Sequence, residues 1–222
     1  MGRQIFLKTL RDEILSLQGL RTTKVNAIDI ALAPLRHAFP NSSFPTTAVH
    51  EFITTSKETS AATSGFVAGI LTSIMKKSGA TLWISTSRKI FPPALKAFGI
   101  EPDQFIFVDL QKEKDVMWAM DEALKCDALS AVVAEMKDLS FTESRRLQLA
   151  VERSRVPGFV LRTDPKKIST TACVSRWKIT SALTEPNRWT SGHRTTSLES
   201  RAPSNQEWQA WSMGHEMGRR QI

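Results

Sequence analysis

The stretch that decides the fold, residues 130–162, reads SAVVAEMKDLSFTESRRLQLAVERSRVPGFVLR. Its first apolar run, residues 131–134, stops at a single carboxylate, Glu135. A polar loop and a basic amphipathic helix follow, and a second apolar run occupies residues 159–161. Short continuous apolar runs are typical of strands that are covered on both faces, as in a parallel sheet. Because ligands of open α/β sheets bind beyond the carboxyl ends of the strands, Glu135 marks the place where a site is expected.

The residues on either side of this stretch repeat the alternation of strand and helix patterns. Ser140 and Glu143 have the spacing of a capping box and predict the start of a helix. Further strands are predicted at residues 48–53, 81–85, 105–109 and 174–179, and further helices at residues 65–77, 92–98 and 113–126. This alternation predicts an α/β fold in which a mostly parallel sheet is flanked by helices, with right-handed crossovers.

Two segments that flank this body have different patterns. Apolar side chains recur at helical spacing over residues 3–18, which predicts an N-terminal helical arm, so residues 1–45 are assigned to a helix and linker and residues 46–182 to the α/β core. Residues 183–222 contain three Ile, Leu or Val residues among 40, too few to bury much surface, and are predicted to be disordered. Three interpretations of this tail remain open: a variable tail, a partner-binding tail anchored by Trp189, Trp208 and Trp211, and a frame-shifted end.

The positive charge of the chain is concentrated in its last third. The formal net charge is +8. Residues 1–140 carry 16 Lys and Arg against 15 Asp and Glu, whereas residues 141–222 carry 14 against 7. A basic segment beside a neutral body favours a polyanionic partner, nucleic acid first, and the alternative is a solvated basic face.

Cysteine and histidine usage gives no sign of a disulfide framework or of a metal site. Cys126 and Cys173 are far apart, and the four histidines have no metal-ligand spacing. The longest apolar stretch is too short to span a bilayer, and the first residues lack a signal-peptide pattern. We therefore expect a cytoplasmic protein with no membrane association and no metal.

The order of segments after residue 46 resembles the core of the RecA recombinases. A polar stretch at residues 54–64 stands between a strand and a helix, where a phosphate-binding loop would stand. More specifically, the chain resembles the ImuA proteins, formerly grouped with SulA-like proteins. The segments that carry this resemblance are FPTTAVHEF, FPPALKAFGI, WAMDEALKC, AVVAEM, SRRLQLAVERSRV and SRWKI. The resemblance implies a RecA-like fold with a degenerate P-loop.

The same resemblance implies an accessory, adaptor role in damage-inducible, error-prone translesion synthesis. ImuA proteins act beside ImuB, a Y-family polymerase relative, and a DnaE-type polymerase, and the expected contacts include DNA and RecA filaments. Two alternatives stay open. One is an active RecA-type, DNA-dependent ATPase, and the other is a SulA-like inhibitor of cell division that acts on FtsZ.

The polar stretch departs from the pattern G-x-x-x-x-G-K-[ST], whose glycines and lysine bind phosphates. It has no first glycine, no lysine follows Gly65, and no carboxylate follows residues 81–85, where RecA proteins place a catalytic glutamate. We therefore predict no significant ATP hydrolysis, no catalytic residue and no required cofactor, with room for weak ATP binding. The residues of the predicted degenerate nucleotide site are Ser60, Thr63, Ser64, Gly65 and Glu135.

Individual residues near this site have two interpretations each. Glu135 is either a relic of a cation-binding acid or a structural carboxylate that accepts backbone N–H bonds. His50 and Glu51 are interpreted as alternating strand residues rather than as an acid–base pair. DNA contact, mainly to phosphates, is predicted for basic residues beyond or near strand ends: Arg155, Lys166, Lys167, Arg176 and Lys178. Trp177 is expected either to stack on a base or to lie in the core.

Overall fold

The computed structural model describes residues 44–75, 79–182 and 195–201, the residues from 181 onward as backbone only. The strands are β1 (Val49–Thr54), β2 (Thr81–Ser85), β3 (Phe105–Asp109), β4 (Ala131–Met136), β5 (Gly158–Thr163), β6 (Ser175–Ala182) and β7 (Thr195–Arg201). The α-helices are α1 (Lys57–Met75), α2 (Glu113–Ala123) and α3 (Phe141–Ser154), with 3₁₀ helices at Pro92–Phe98 and Pro102–Gln104. The predicted N-terminal arm lies outside the described residues.

The strands form one sheet in the order β3-β2-β4-β5-β1-β6-β7. The first six strands run parallel, which confirms the predicted α/β class with a mostly parallel sheet. Strand β7 pairs antiparallel with β6 and falls in the segment for which the sequence predicts a disordered tail. The rest of that segment lies outside the described residues.

Helices cover both faces of the sheet and divide the core into two layers. One layer, under α1 and the 3₁₀ helix Pro92–Phe98, contains Phe52, Phe159 and Trp177, all buried. The other layer, under α2 and α3, contains aliphatic side chains such as Val132 and Val160. Full burial of one such large side chain contributes about 1.5–3 kcal/mol, so these layers hold the sheet together. No helix among the described residues is long and apolar enough to cross a bilayer.

Helix α1 begins eight residues earlier than the sequence pattern predicts, at Lys57 rather than Gly65. Its first turn is capped from within the chain: the Thr59 N–H donates to Ser56 Oγ at 3.2 Å, and the Ser56 N–H donates to Thr59 Oγ1 at 3.0 Å. This reciprocal pair satisfies two backbone donors, as a capping box does. The prediction of a polar loop over residues 54–64 is therefore wrong, because Ser and Thr here cap a helix and continue into it.

The predicted capping box of α3 is confirmed. The Glu143 N–H donates to Ser140 Oγ at 3.2 Å, and the Ser140 N–H donates to Glu143 Oε2 at 2.9 Å. Leu147 and Val151 then lie on the buried face of the helix. The helix ends at Ser154, and Arg155 caps it with a left-handed φ of 67° before the chain enters β5 at Gly158.

Candidate functional site

A pocket of about 710 Å³ opens at the carboxyl edge of the sheet, between α1 and the 3₁₀ helix Pro92–Phe98. We call it the edge pocket. Its lining comes from the turn after β1, from α1, from the segment after β2, and from Thr163 at the end of β5 with Asp164 after it. Parallel strands bring these segments together because their carboxyl ends all reach the same edge.

The edge pocket contains three of the five residues predicted for the degenerate nucleotide site. Ser60, Ser64 and Gly65 line it. Thr63 does not, because helical periodicity turns it toward the sheet, where its Oγ1 is buried with no hydrogen-bond partner. Glu135 is also absent from the lining. The connection from β1 to α1 consists of Thr55 and Ser56 alone, so the structure has no loop here that surrounds a phosphate chain.

Glu135 is held by a tryptophan side chain at the carboxyl end of β4. Trp83 Nε1 donates to Glu135 Oε1 at 2.8 Å, so the carboxylate serves a buried indole N–H and not the backbone donors that the sequence suggests. Burial raises the pKa of Glu135, while the Trp83 hydrogen bond and nearby Lys89 oppose that rise. Within the described ranges no three His, Cys, Asp or Glu side chains cluster as metal ligands would.

Glu51 is the centre of a buried ion network. Arg162 Nη1 donates to Glu51 Oε1 at 2.7 Å, and Arg176 Nε donates to Glu51 Oε2 at 2.8 Å. The hydroxyl of Thr171 also donates to Oε2, at 2.8 Å. The register of β1 with β5 and β6 brings these side chains together, since Glu51 lies opposite Val160 on one strand and Arg176 on the other.

Arg162 extends this network to the loops at the carboxyl edge. Its side chain is 1% exposed. Nε donates to the carbonyl of Lys137 at 3.1 Å, and Nη2 donates to the carbonyl of Lys167 at 2.8 Å. One buried guanidinium thus fixes the backbone of two residues whose side chains are exposed. Asp138 adds an ion pair at 3.7 Å.

His50 lies in a second buried network, on the opposite face of β1. Its Nε2–H donates to the Pro45 carbonyl at 2.8 Å, so Nδ1 accepts from the Ser175 hydroxyl at 2.7 Å. That hydroxyl accepts in turn from Trp177 Nε1 at 2.6 Å. Burial lowers the pKa of His50 to about 4, which keeps the ring neutral. Because all three polar groups are satisfied inside the core, this arrangement is structural.

The structure separates the residues that the sequence predicts for DNA contact. Lys166 and Lys167 lie together, exposed, just after β5 at the carboxyl edge, and Lys178 is exposed within β6. Arg155 precedes β5 and therefore lies at the opposite edge. Arg176 donates to Glu51, to the Ser169 carbonyl and to Thr171 Oγ1, which gives its side chain a structural role.

The structure also places Trp177 and several further lysines near the predicted DNA-contact residues. Trp177 is fully buried and stacks on Phe52 with ring centroids 6.1 Å apart, so of its two interpretations the core position is the one observed. Four exposed lysines that are not among the predicted DNA contacts also lie at the carboxyl edge: Lys57, Lys89, Lys112 and Lys137. Each follows a strand by one to four positions, a signal that the alternation pattern already contained.

The fold and the site define an α/β protein with a parallel sheet, an apolar pocket at its carboxyl edge and exposed lysines around that edge. The chain is 30% identical, over 160 residues, to the protein ImuA of two strains of Caulobacter vibrioides. The match covers 67% of this chain and 66% of ImuA. The chain belongs to the ImuA family, which confirms the resemblance found in the sequence.

Two other comparisons complete this picture. No protein-family model matches the chain. Among solved structures, SulA from Pseudomonas aeruginosa is similar with a TM-score of 0.42 and 15% sequence identity, over 50% of this chain and 97% of SulA.

Proposed function

We propose that the protein is a non-catalytic adaptor in damage-inducible, error-prone translesion DNA synthesis. It joins an ImuB-like Y-family polymerase relative and a DnaE-type polymerase to DNA or to a RecA filament. The observation that carries this proposal is the match to ImuA over 160 residues. The exposed lysines at the carboxyl edge support the DNA part of the role.

The short connection between β1 and α1 supports the absence of ATP turnover. A P-loop surrounds the phosphates with several backbone N–H groups and places a lysine beside them. Here only Thr55 and Ser56 connect the strand and the helix, and the first turn of α1 is capped by Ser56 and Thr59. Loss of such transition-state contacts lowers the rate by orders of magnitude.

Lys137, Lys166 and Lys167 are the strongest candidates for phosphate contact. All three are exposed, and Arg162 fixes the backbone of two of them at one edge. Contacts between lysine and DNA phosphates do not depend on the base sequence of the DNA, and the affinity that they provide falls steeply as the salt concentration rises. Arg155 and Lys178 lie apart from this group, and Arg176 belongs to the Glu51 network.

A gene deletion in the source bacterium tests the biological role. We expect the mutation frequency induced by mitomycin C to fall to the uninduced level and to return when the wild-type gene is supplied. Affinity purification of the tagged protein is expected to recover the ImuB-like protein and not FtsZ. An unchanged induced mutation frequency would rule out the mutagenesis role, whatever the protein binds in vitro.

Fluorescence anisotropy with labelled oligo(dT) tests the DNA contact. Lys166→Ala with Lys167→Ala should reduce the slope of log affinity against log salt by about 1.4, since each single-strand phosphate contact contributes about 0.7. Arg145→Ala with Arg153→Ala is the matched control, because it removes the same charge from the exposed face of α3. Equal slopes in the two double variants would contradict the assignment. Turnover of ATP at the rate of a RecA recombinase in the same buffer would contradict the non-catalytic role.

A further inference from the structure

The edge pocket has apolar walls that no described side chain fills. On one side lie the small residues Ala61 and Ala68 of α1, and on the other lie Leu95 and Phe98. Gly65 lets the two sides approach, because a Cβ at this position would meet Phe98 Cζ at 3.2 Å. The volume of about 710 Å³ is in the range typical of ligand and side-chain pockets, about 300–1,000 Å³.

The polar groups at the start of α1 are poorly placed for a phosphate. A helix N-terminus binds anions through backbone N–H groups that have no other partner. At the start of α1 the Thr59 N–H donates to Ser56 Oγ at 3.2 Å and the Ser56 N–H donates to Thr59 Oγ1 at 3.0 Å, so two of these N–H groups already have a partner, and the walls around them are mainly apolar. The pocket is therefore better suited to apolar groups than to a nucleotide.

The rim of the pocket carries more positive than negative charge. Lys57 and Lys89 line it and are exposed, and Asp164 is the one carboxylate among its described lining residues. Exposed Lys166 and Lys167 follow Asp164 after one proline, Pro165. Phe91, 68% exposed, adds an apolar surface at the same rim. Apolar walls with a basic rim are complementary to an apolar segment that is flanked by carboxylates.

We propose that the edge pocket is a docking site for a short acidic and apolar segment of a partner protein. One or two bulky apolar side chains enter between α1 and Phe98, and flanking carboxylates pair with Lys57 and Lys89. Buried apolar anchors surrounded by a polar rim are the usual source of affinity in peptide recognition. This docking goes beyond the adaptor role and is separable from it, since it depends on the pocket and not on DNA.

A random peptide library displayed on phage tests the proposal when it is selected on the full chain. The most enriched peptide is then labelled with fluorescein, and its affinity is measured by fluorescence polarisation. Ala61→Trp fills the pocket from an exposed position of α1, and Leu149→Trp places the same bulk on exposed α3 as a control. Lys57→Glu with Lys89→Glu inverts the rim, and Arg145→Glu with Arg153→Glu is the matched control. Ser60→Phe is a second pocket-filling variant in case Ala61→Trp fails to fold.

We expect enriched peptides to combine Leu, Phe or Trp with neighbouring Asp or Glu. Filling the pocket should weaken binding about tenfold or more, the effect of losing a buried anchor, while the control on α3 leaves affinity unchanged. The inverted rim should weaken binding about fivefold, with a smaller effect at high salt. The proposal is overturned if no peptide is enriched, if the peptide binds Ala61→Trp as tightly as wild type, or if MgATP or oligo(dT) displaces it by competition for the pocket.

Discussion

A Glu51→Gln substitution removes one negative charge from the middle of the sheet and keeps the shape of the side chain. Arg162, 1% exposed, then loses the carboxylate that its Nη1 contacts at 2.7 Å. Removing one partner of a buried ion pair costs about 3–5 kcal/mol, because the remaining charge stays buried without compensation. The glutamine oxygen still accepts one hydrogen bond and Asp138 lies 3.7 Å from Arg162, so we expect the lower end, about 3 kcal/mol.

Urea denaturation followed by circular dichroism measures this loss. For a chain of this size a loss of about 3 kcal/mol lowers Tm by about 6–12 °C. Glu152→Gln is the matched control, since Glu152 is half exposed and 3.7 Å from Arg145. An exposed pair of this kind contributes at most about 1 kcal/mol.

If the loss of stability comes from the unpaired charge of Arg162, removing that charge should restore stability. Adding Arg162→Met to Glu51→Gln removes the buried charge that the first substitution leaves behind. Arg176 is 19% exposed and can reach solvent, so most of the lost stability should return. The reasoning is refuted if Glu51→Gln changes the free energy of unfolding by no more than the control does, or if the double variant is less stable than the single one.

Two pH-dependent predictions follow from the other buried groups. His50 has a pKa lowered to about 4 from an ordinary value of 6.5, so stability is lost as pH falls through this interval, by up to about 1.4 kcal/mol per pH unit. Its ring resonances in NMR should not titrate between pH 8 and 5 (roughly the window above its folded pKa), and titration near 6.5 would contradict the buried network. Glu135 has a raised pKa, so its folded form loses stability as pH rises above the ordinary value of 4.5. Glu135→Gln keeps an acceptor for Trp83, so the variant should be more stable than wild type at neutral pH. This difference in stability should disappear in acid, where the Glu135 carboxyl is protonated in both states. A variant that is less stable than wild type in urea at neutral pH would show that the carboxylate is needed as an anion.

The sequence predicted the parallel sheet well because the signals were local and redundant. Short apolar runs such as residues 131–134 are typical of strands covered on both sides, and the Ser140–Glu143 spacing predicts the start of α3. The start of α1 was missed for an equally physical reason. Ser and Thr favour loops and helix caps alike, and their tertiary surroundings decide which of these forms.

The Glu51 network could not be predicted from the sequence. Glu51 is 111 positions from Arg162 and 125 positions from Arg176 in the sequence, and the β1–β5 and β1–β6 registers bring the three side chains together. The sequence therefore predicts one basic segment after residue 140, with DNA contact at Arg155, Lys166, Lys167, Arg176 and Lys178, and does not distinguish buried from exposed side chains. The structure separates a buried arginine, Arg162, and a structural arginine, Arg176, from exposed lysines.

A buried ion network is not required for the stability of such a core, since well-packed apolar side chains of similar volume are often at least as stable. What an apolar side chain at position 162 could not do is bind the carbonyls of Lys137 and Lys167. Those two carbonyls belong to different loops, after β4 and after β5, and both loops carry exposed lysines at the carboxyl edge. The stretch at residues 130–162 therefore organises the edge at both of its ends. Glu135 near the first accepts a hydrogen bond from Trp83 beneath the edge, and Arg162 at the last binds the carbonyls of the two loops above it.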